Sequence, residues 1–129
     1  VAYVNVAPVM QVNNTNVVVY PDIIKIKLEE VTAKIIGYEA KSYAFNHVKR
    51  NLENPTLSAS DATKLVSSRL TVNSTRLSIV PIEYGEETLC YEFECQKDGI
   101  TFYIFINANT GAEEQIFRVI ENSEGKNVL

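Results

Sequence analysis

Apolar and polar positions alternate most cleanly at two places in the chain. Ile24, Ile26 and Leu28 alternate with Lys25 and Lys27, the period of a half-buried strand. Ile36, Tyr38 and Ala40 predict a second strand returning beside it, with the hairpin closed around Glu29-Glu30-Val31. Upstream the pattern is less regular, with Val4, Val6 and Val9 spaced around Pro8. Asn13, Asn14 and Asn16 mark a turn, and the short apolar run Val17 to Tyr20 is broken by Pro21-Asp22. Residues 41–57 are polar, carrying His47, Lys49, Arg50, Asn51, Glu53 and Asn54, and end at Pro55. They read as a linker, or as a short helical turn followed by an extended segment.

The spacing predicts one helix, over residues 58–70. Ser58 is placed to cap it, with Asp61 three residues on. Ala62, Leu65, Val66 and Leu70 then share a face. A helix of this size is marginal alone and must pack on something. Four strands follow, over 72–82, 88–96, 100–108 and 112–121. Leu89, Tyr91, Phe93 and Cys95 alternate with Cys90, Glu92 and Glu94; Ile100, Phe102, Ile104 and Ile106 alternate with Thr101, Tyr103 and Phe105. Asp98-Gly99 is a strong hairpin signal, and Asn109-Thr110-Gly111 makes the next tight turn. The polar tail 122–129 should fray.

One helix followed by an antiparallel meander is a two-layer α+β arrangement. The expected organisation is a mainly β unit over 1–47, a linker over 48–57, and a helix-plus-meander unit over 58–121. The helix should cover the face of Ile100, Phe102, Ile104 and Ile106, and Leu65→Ala would then cost roughly 2–5 kcal/mol.

Composition agrees with a folded protein: of 129 residues, 46% are hydrophobic and 22% charged. Without Met at position 1, the chain reads as a piece of a longer protein. No apolar run approaches the roughly 20 residues of a membrane helix, so no membrane contact is expected from this fragment. The net charge is −4 and Lys49-Arg50 is the only adjacent basic pair, so nucleic acid is not expected as a partner.

The order of these elements carries a resemblance. The Ser-capped segment with Asp61-Ala62, the strand Leu89-Cys90-Tyr91-Glu92-Phe93-Glu94, Asp98-Gly99, and the run from Tyr103 through Asn107-Ala108-Asn109-Thr110-Gly111 to Glu113 resemble a PepSY domain. Tyr3 to Val9, Val19 to Lys27, and Ile36 to Ala40 are similar to the C-terminal PepSY region of the YpeB family of spore germination proteins. A departure is Glu29-Glu30-Val31-Thr32, where that family has an Asp-Asn-Gly-type turn. Ile24 to Ile36 also reads as a degenerate copy of Ile104 to Ile116, which fits two PepSY-like units, the first lacking its helix.

The resemblance implies a fold and a function. YpeB-like proteins are associated with the cortex-lytic enzyme SleB, a cell-wall hydrolase of the dormant spore, and PepSY domains are thought to restrain or chaperone enzymes. The implied role is a non-catalytic module that binds, stabilises or inhibits such a hydrolase. It would act at the spore cortex, outside the inner membrane, anchored through a region absent here. The alternative is a module that binds cortex peptidoglycan through exposed Tyr and Asn side chains. No catalytic, metal or cofactor residue carries over, and no cofactor is expected.

The residues themselves agree with a non-enzyme. Glu92 and Glu94 share a strand face, and paired carboxylates are what a glycosidase uses, but without an apolar frame to raise a pKa they read as a solvated face. Glu83, Glu86 and Glu87 around Gly85 read as a solvated turn; Asp22, Glu113 and Glu114 sit beside turns. His47, the single histidine, reads as a surface residue of the polar linker. Cys90 has no basic neighbour to activate it. Cys90 and Cys95 lie an odd number of residues apart on one strand, so they face opposite ways and should remain free thiols, one or both buried. With two Cys and one His, a structural zinc site would need carboxylate help.

Tyr103 and Phe105 point away from the helix-covered face. They form either an exposed partner surface or a face covered by the first unit, and the second is expected. The first unit must likewise bury Val4, Val6, Val17, Val19, Ile24, Ile26, Ile36 and Tyr38. Contact with the second unit is expected to do most of this, with a homodimer as the other cover.

Overall fold

The computed structural model describes residues 1–82, 86–122 and 125–128, with side chains described as far as 119. The α+β class holds. Ala2–Val6 (β1), Ile24–Leu28 (β4) and Ile35–Glu39 (β5) form a three-stranded antiparallel sheet in the order β1-β4-β5. Its β4–β5 turn is held by Glu29, whose carboxylate accepts from the Val31 and Thr32 amides and the Thr32 hydroxyl. The departure from an Asp-Asn-Gly turn therefore leaves the hairpin intact.

The larger sheet begins with Val9–Val12 (β2) and Thr15–Val19 (β3). They are folded together by Asn13 and Asn14 at φ 48° and 66°, the left-handed angles that suit Asn in a two-residue hairpin. It continues with Thr71–Pro81 (β6), Glu87–Lys97 (β7), Ile100–Asn107 (β8), Glu113–Asn122 (β9) and Gly125–Val128 (β10). The spatial order is β10-β9-β8-β7-β6-β3-β2. β6 to β9 are the expected meander, with Asp98-Gly99 (φ 52° and 76°) turning β7 into β8.

The strands of the first third divide between the two sheets. β3 pairs in parallel with β6, Val17 opposite Leu77 and Val19 opposite Ile79. A short 3₁₀ turn at Tyr20–Asp22 then redirects the chain into the small sheet. Val17 and Val19 thereby join the main core with Leu77, Leu89, Tyr91, Phe93, Cys95, Ile104 and Ile106. The β1-β4-β5 face is not covered in the same way. The register puts Val4, Val6, Ile24, Ile26 and Tyr38 on one side. There Val4 and Val6 stay more than 40% exposed and Tyr38 is 77% exposed. The expected burial of this face by the second unit fails, because β2 and β3 alone cross to the larger sheet.

The predicted long helix is a short one. After Lys41–Asn46 (α1), the second helix spans Ala59–Thr63 (α2), with the Ser58 hydroxyl accepting the Asp61 amide at 3.0 Å as its cap. The Thr63 hydroxyl bonds back to the Ala59 carbonyl, and Leu65 and Val66 make tighter i→i−3 bonds to Ala62 and Thr63. Ser67 and Ser68 then continue a sequence that favours turns over helix. Ala62 and Val66 join the main core that includes Ile104 and Ile106, whereas Leu65 is half exposed. The earlier cost for Leu65→Ala is therefore too large. About half of a Leu burial, ~1 kcal/mol, is expected on urea denaturation, and a loss above ~2 kcal/mol would contradict this placement.

Two further expectations change. Residues 48–57 are a strap fastened to the main sheet. Leu57 bonds the Ala108 carbonyl, Thr56 bonds the Asn109 side chain, and Leu52 and Leu57 pack on the core. The tail expected to fray instead holds β10, paired antiparallel with β9. An open strand edge offers it unpaired backbone groups.

Candidate functional site

The face of the large sheet opposite α2 carries the chemistry. Alternation sends Arg76 and Val80 of β6, Cys90 and Glu92 of β7, Tyr103 and Phe105 of β8, and Phe117 of β9 to this side. Val80, Cys90 and Phe105 form a second, smaller core there, with Tyr20, Tyr103 and Phe117 packed on it. Phe105 is the floor. Tyr20 meets it edge-on at 6.2 Å between ring centres, and Phe117 does so at 5.7 Å. Above it opens a pocket of about 430 Å³, lined also by Pro81 and Gln115.

A buried carboxylate borders the pocket. Glu92 is 3% exposed. One of its oxygens accepts from the Tyr20 hydroxyl and the other from Nε of Arg76. Nη2 of Arg76 donates to the Tyr20 hydroxyl oxygen at 2.6 Å, closing a three-membered network. Burial, then the hydrogen bond to Glu92, pushes the Tyr20 phenol well above its ordinary value. Tyr20 reaches this position because the 3₁₀ turn swings it over the sheet from the end of β3.

The alternation of Glu92 with apolar neighbours points to a solvated face, and that reading is corrected here. Tyr20, 72 residues away in sequence, covers the carboxylate. Glu94 lies on the same face, where the Ser74 hydroxyl contacts it at 3.5 Å. Both Glu92 oxygens already accept hydrogen bonds from within the protein, so the pair lacks the arrangement of an acid and base flanking a substrate.

A second network ties the 3₁₀ turn and the strap to the large sheet. Asp22 is 1% exposed and receives both Nη atoms of Arg50 at 2.8 and 3.0 Å. Arg50 also grips Glu87 of β7, through Nε and Nη2 at 2.8 Å each. Nδ1 of His47 lies 2.8 Å from Asp22, and its ring stacks on Tyr43. Burial would raise the Asp22 carboxyl, but hydrogen bonds from Arg50 and His47 outweigh it and hold the carboxyl below its usual range. His47 is half exposed as expected, yet it is paired, and Asp22 and Glu87 are structural partners of Arg50. Arg50 lies 28 residues from Asp22 and 37 from Glu87, so their alliance leaves no local signal in the sequence.

The remaining candidates separate. Cys90 and Cys95 are buried free thiols, Cys90 in the smaller core and Cys95 in the main one, on opposite faces as their spacing predicts. Burial and the nearby Glu114 push the Cys90 thiol up to about 12, far from a reactive thiolate. Glu114 accepts from the Asn107 side chain beside its turn. Glu83 and Gly85 lie outside the described residues. No cluster of three potential metal ligands occurs among the described residues.

Known proteins share this architecture. The PepSY profile, described as the peptidase propeptide and YPEB domain, matches residues 56–115. The sporulation protein YpeB of Halalkalibacterium halodurans is 42% identical over 106 residues, covering 82% of this chain and 24% of that protein. YpeB of Bacillus subtilis is 30% identical over 105 residues, covering 81% of this chain and 23% of that protein. The chain thus spans about a quarter of the length of these curated relatives. The solved C-terminal domain of Bacillus megaterium YpeB superposes with a TM-score of 0.76 at 35% identity, over 85% of this chain and 48% of that one. Residues 56–115 thus match a PepSY domain, and over about four-fifths of its length the chain is similar to YpeB, whose C-terminal domain shares its fold.

Proposed function

We propose that this chain is a non-catalytic module of a spore germination protein, one that binds a cortex-lytic hydrolase of the SleB kind in the dormant spore. The observation that carries this reading is the state of Glu92. The carboxylate best placed for chemistry is sealed in an internal network at the margin of an open aromatic pocket. Such a face suits contact better than turnover. The names of the relatives support a sporulation role, and the profile's description pairs the domain with peptidase propeptides. Binding would stabilise or restrain the hydrolase at the outer side of the inner spore membrane. No helix among the described residues is long and apolar enough to cross a membrane.

Capture of purified hydrolase on the immobilised chain tests this. Retention of the hydrolase, with a change in its thermal stability or its release of muropeptides, is the expected result. Retention of cortex peptidoglycan with no enzyme present would favour the glycan-binding alternative. Muropeptide release by the chain alone, abolished in Glu92→Gln, would overturn the non-catalytic reading.

A further inference from the structure

We propose that the pocket over Phe105 receives an aromatic or long aliphatic side chain of a partner polypeptide, with an acidic residue beside it docking on Arg76. This deepens the reading of the chain as a protein-binding module and rests on it. The lining favours carbon over hydroxyl. Tyr20, Val80, Pro81, Tyr103, Phe105 and Phe117 supply rings and aliphatic surface. Two of the polar side chains in the lining are engaged within the protein. Gln115 donates to the Pro81 carbonyl at 3.3 Å, and Glu92 is held by Tyr20 and Arg76. A sugar would leave most of its hydroxyls unmatched there, whereas an apolar side chain loses no hydrogen bond.

The charge at the mouth is directional. The Glu92 side chain is 4% exposed and that of Arg76 is 54% exposed, so the cation faces solvent and its counterion lies beneath. Nε and Nη2 of Arg76 are occupied, while Nη1 makes no hydrogen bond among the described residues. An outward guanidinium nitrogen fixed at two points suits a carboxylate, and little rotamer freedom remains to be lost on binding. The chain as a whole carries −4, so general attraction does not favour acidic partners. Any preference for them must come from this local group.

Nuclear magnetic resonance titration of the isotope-labelled chain tests the assignment with three short probes. These are acetyl-Glu-Phe-Glu-amide, its charge-reversed form acetyl-Lys-Phe-Lys-amide, and the anchorless acetyl-Glu-Ser-Glu-amide. The acidic aromatic probe should shift the amides around Phe105 and Phe117 and bind at least tenfold more tightly than either control. In Arg76→Gln the advantage over the charge-reversed probe should shrink to within about threefold. Equal binding of the probes, no shift at millimolar concentration, or shifts confined to other strands would overturn the proposal. So would soluble muropeptides shifting the same amides in place of the acidic probe. The comparison among probes needs no variant, so it holds even where a substitution disturbs folding. These titrations decide the pocket whichever way hydrolase capture falls. Hydrolase held undiminished by Arg76→Gln and by Phe117→Ala would sink the pocket while leaving the module reading intact.

Discussion

Asp22→Ala is expected to lower the unfolding free energy by about 3–5 kcal/mol, the range for removing one partner of a buried ion pair. Asp22 is 1% exposed, and the Arg50 side chain opposite it is 9% exposed. Its loss would leave a guanidinium buried against the sheet with Glu87 as the only remaining carboxylate in its hydrogen-bond set. It would also release His47 and the strap that begins there. Acid should reproduce part of the effect. The folded-state pKa of Asp22 is lowered, so its contribution is fully present above the unfolded value of about 3.9. It is lost as pH falls through the lower folded value. The wild-type chain should therefore lose stability more steeply below about pH 4 than Asp22→Ala does. Chemical denaturation of both at pH 7 and pH 3 measures this. Parallel losses would show that Asp22 is not the group responsible.

The second large effect is expected at Phe93→Ala, again about 3–5 kcal/mol, from lost transfer energy and the cavity left behind. Phe93 is fully buried on β7, opposite Ile104 of β8 and Thr75 of β6, with the Tyr91 ring 6.5 Å away. A central strand between two long neighbours cannot collapse easily into the void, which favours the upper part of the range. A loss under about 1 kcal/mol in guanidinium denaturation would place the principal core elsewhere.

What was legible in the sequence was local. Asn13-Asn14, Asp98-Gly99 and Asn109-Thr110-Gly111 announced their turns because positive backbone angles restrict which residues fit. The meander followed from period-two alternation between such turns. The parallel pairing of β3 with β6 was not legible, since Thr15–Val19 carries no mark of its partner 60 residues away. The length of α2 was overestimated because apolar spacing continued past Thr63 while helix propensity did not. The burial of Glu92 is hidden for a related reason. Alternation tells which residues share a face but not what lies over that face, and here the cover is Tyr20, delivered by the 3₁₀ turn that follows β3. The Asp22–Arg50–Glu87 network escaped notice in the same way, because each member looks like an ordinary surface charge in its own stretch of chain.

The β3–β6 pairing has a consequence for the order in which the chain folds. β6 to β9 are neighbours in sequence and can assemble by closing short loops, whereas β3 must wait for the intervening strap and α2 to close a loop of roughly 60 residues. The N-terminal hairpin is thus a late arrival at the sheet. Until it docks, Leu77 to Ile79 present an open edge and the sites of Val17 and Val19 stand empty. A fragment cut to residues 56–122 would be held permanently at that stage. It would retain the family's signature motifs and lack the strand that completes their core, with self-association along β6 as its readiest escape.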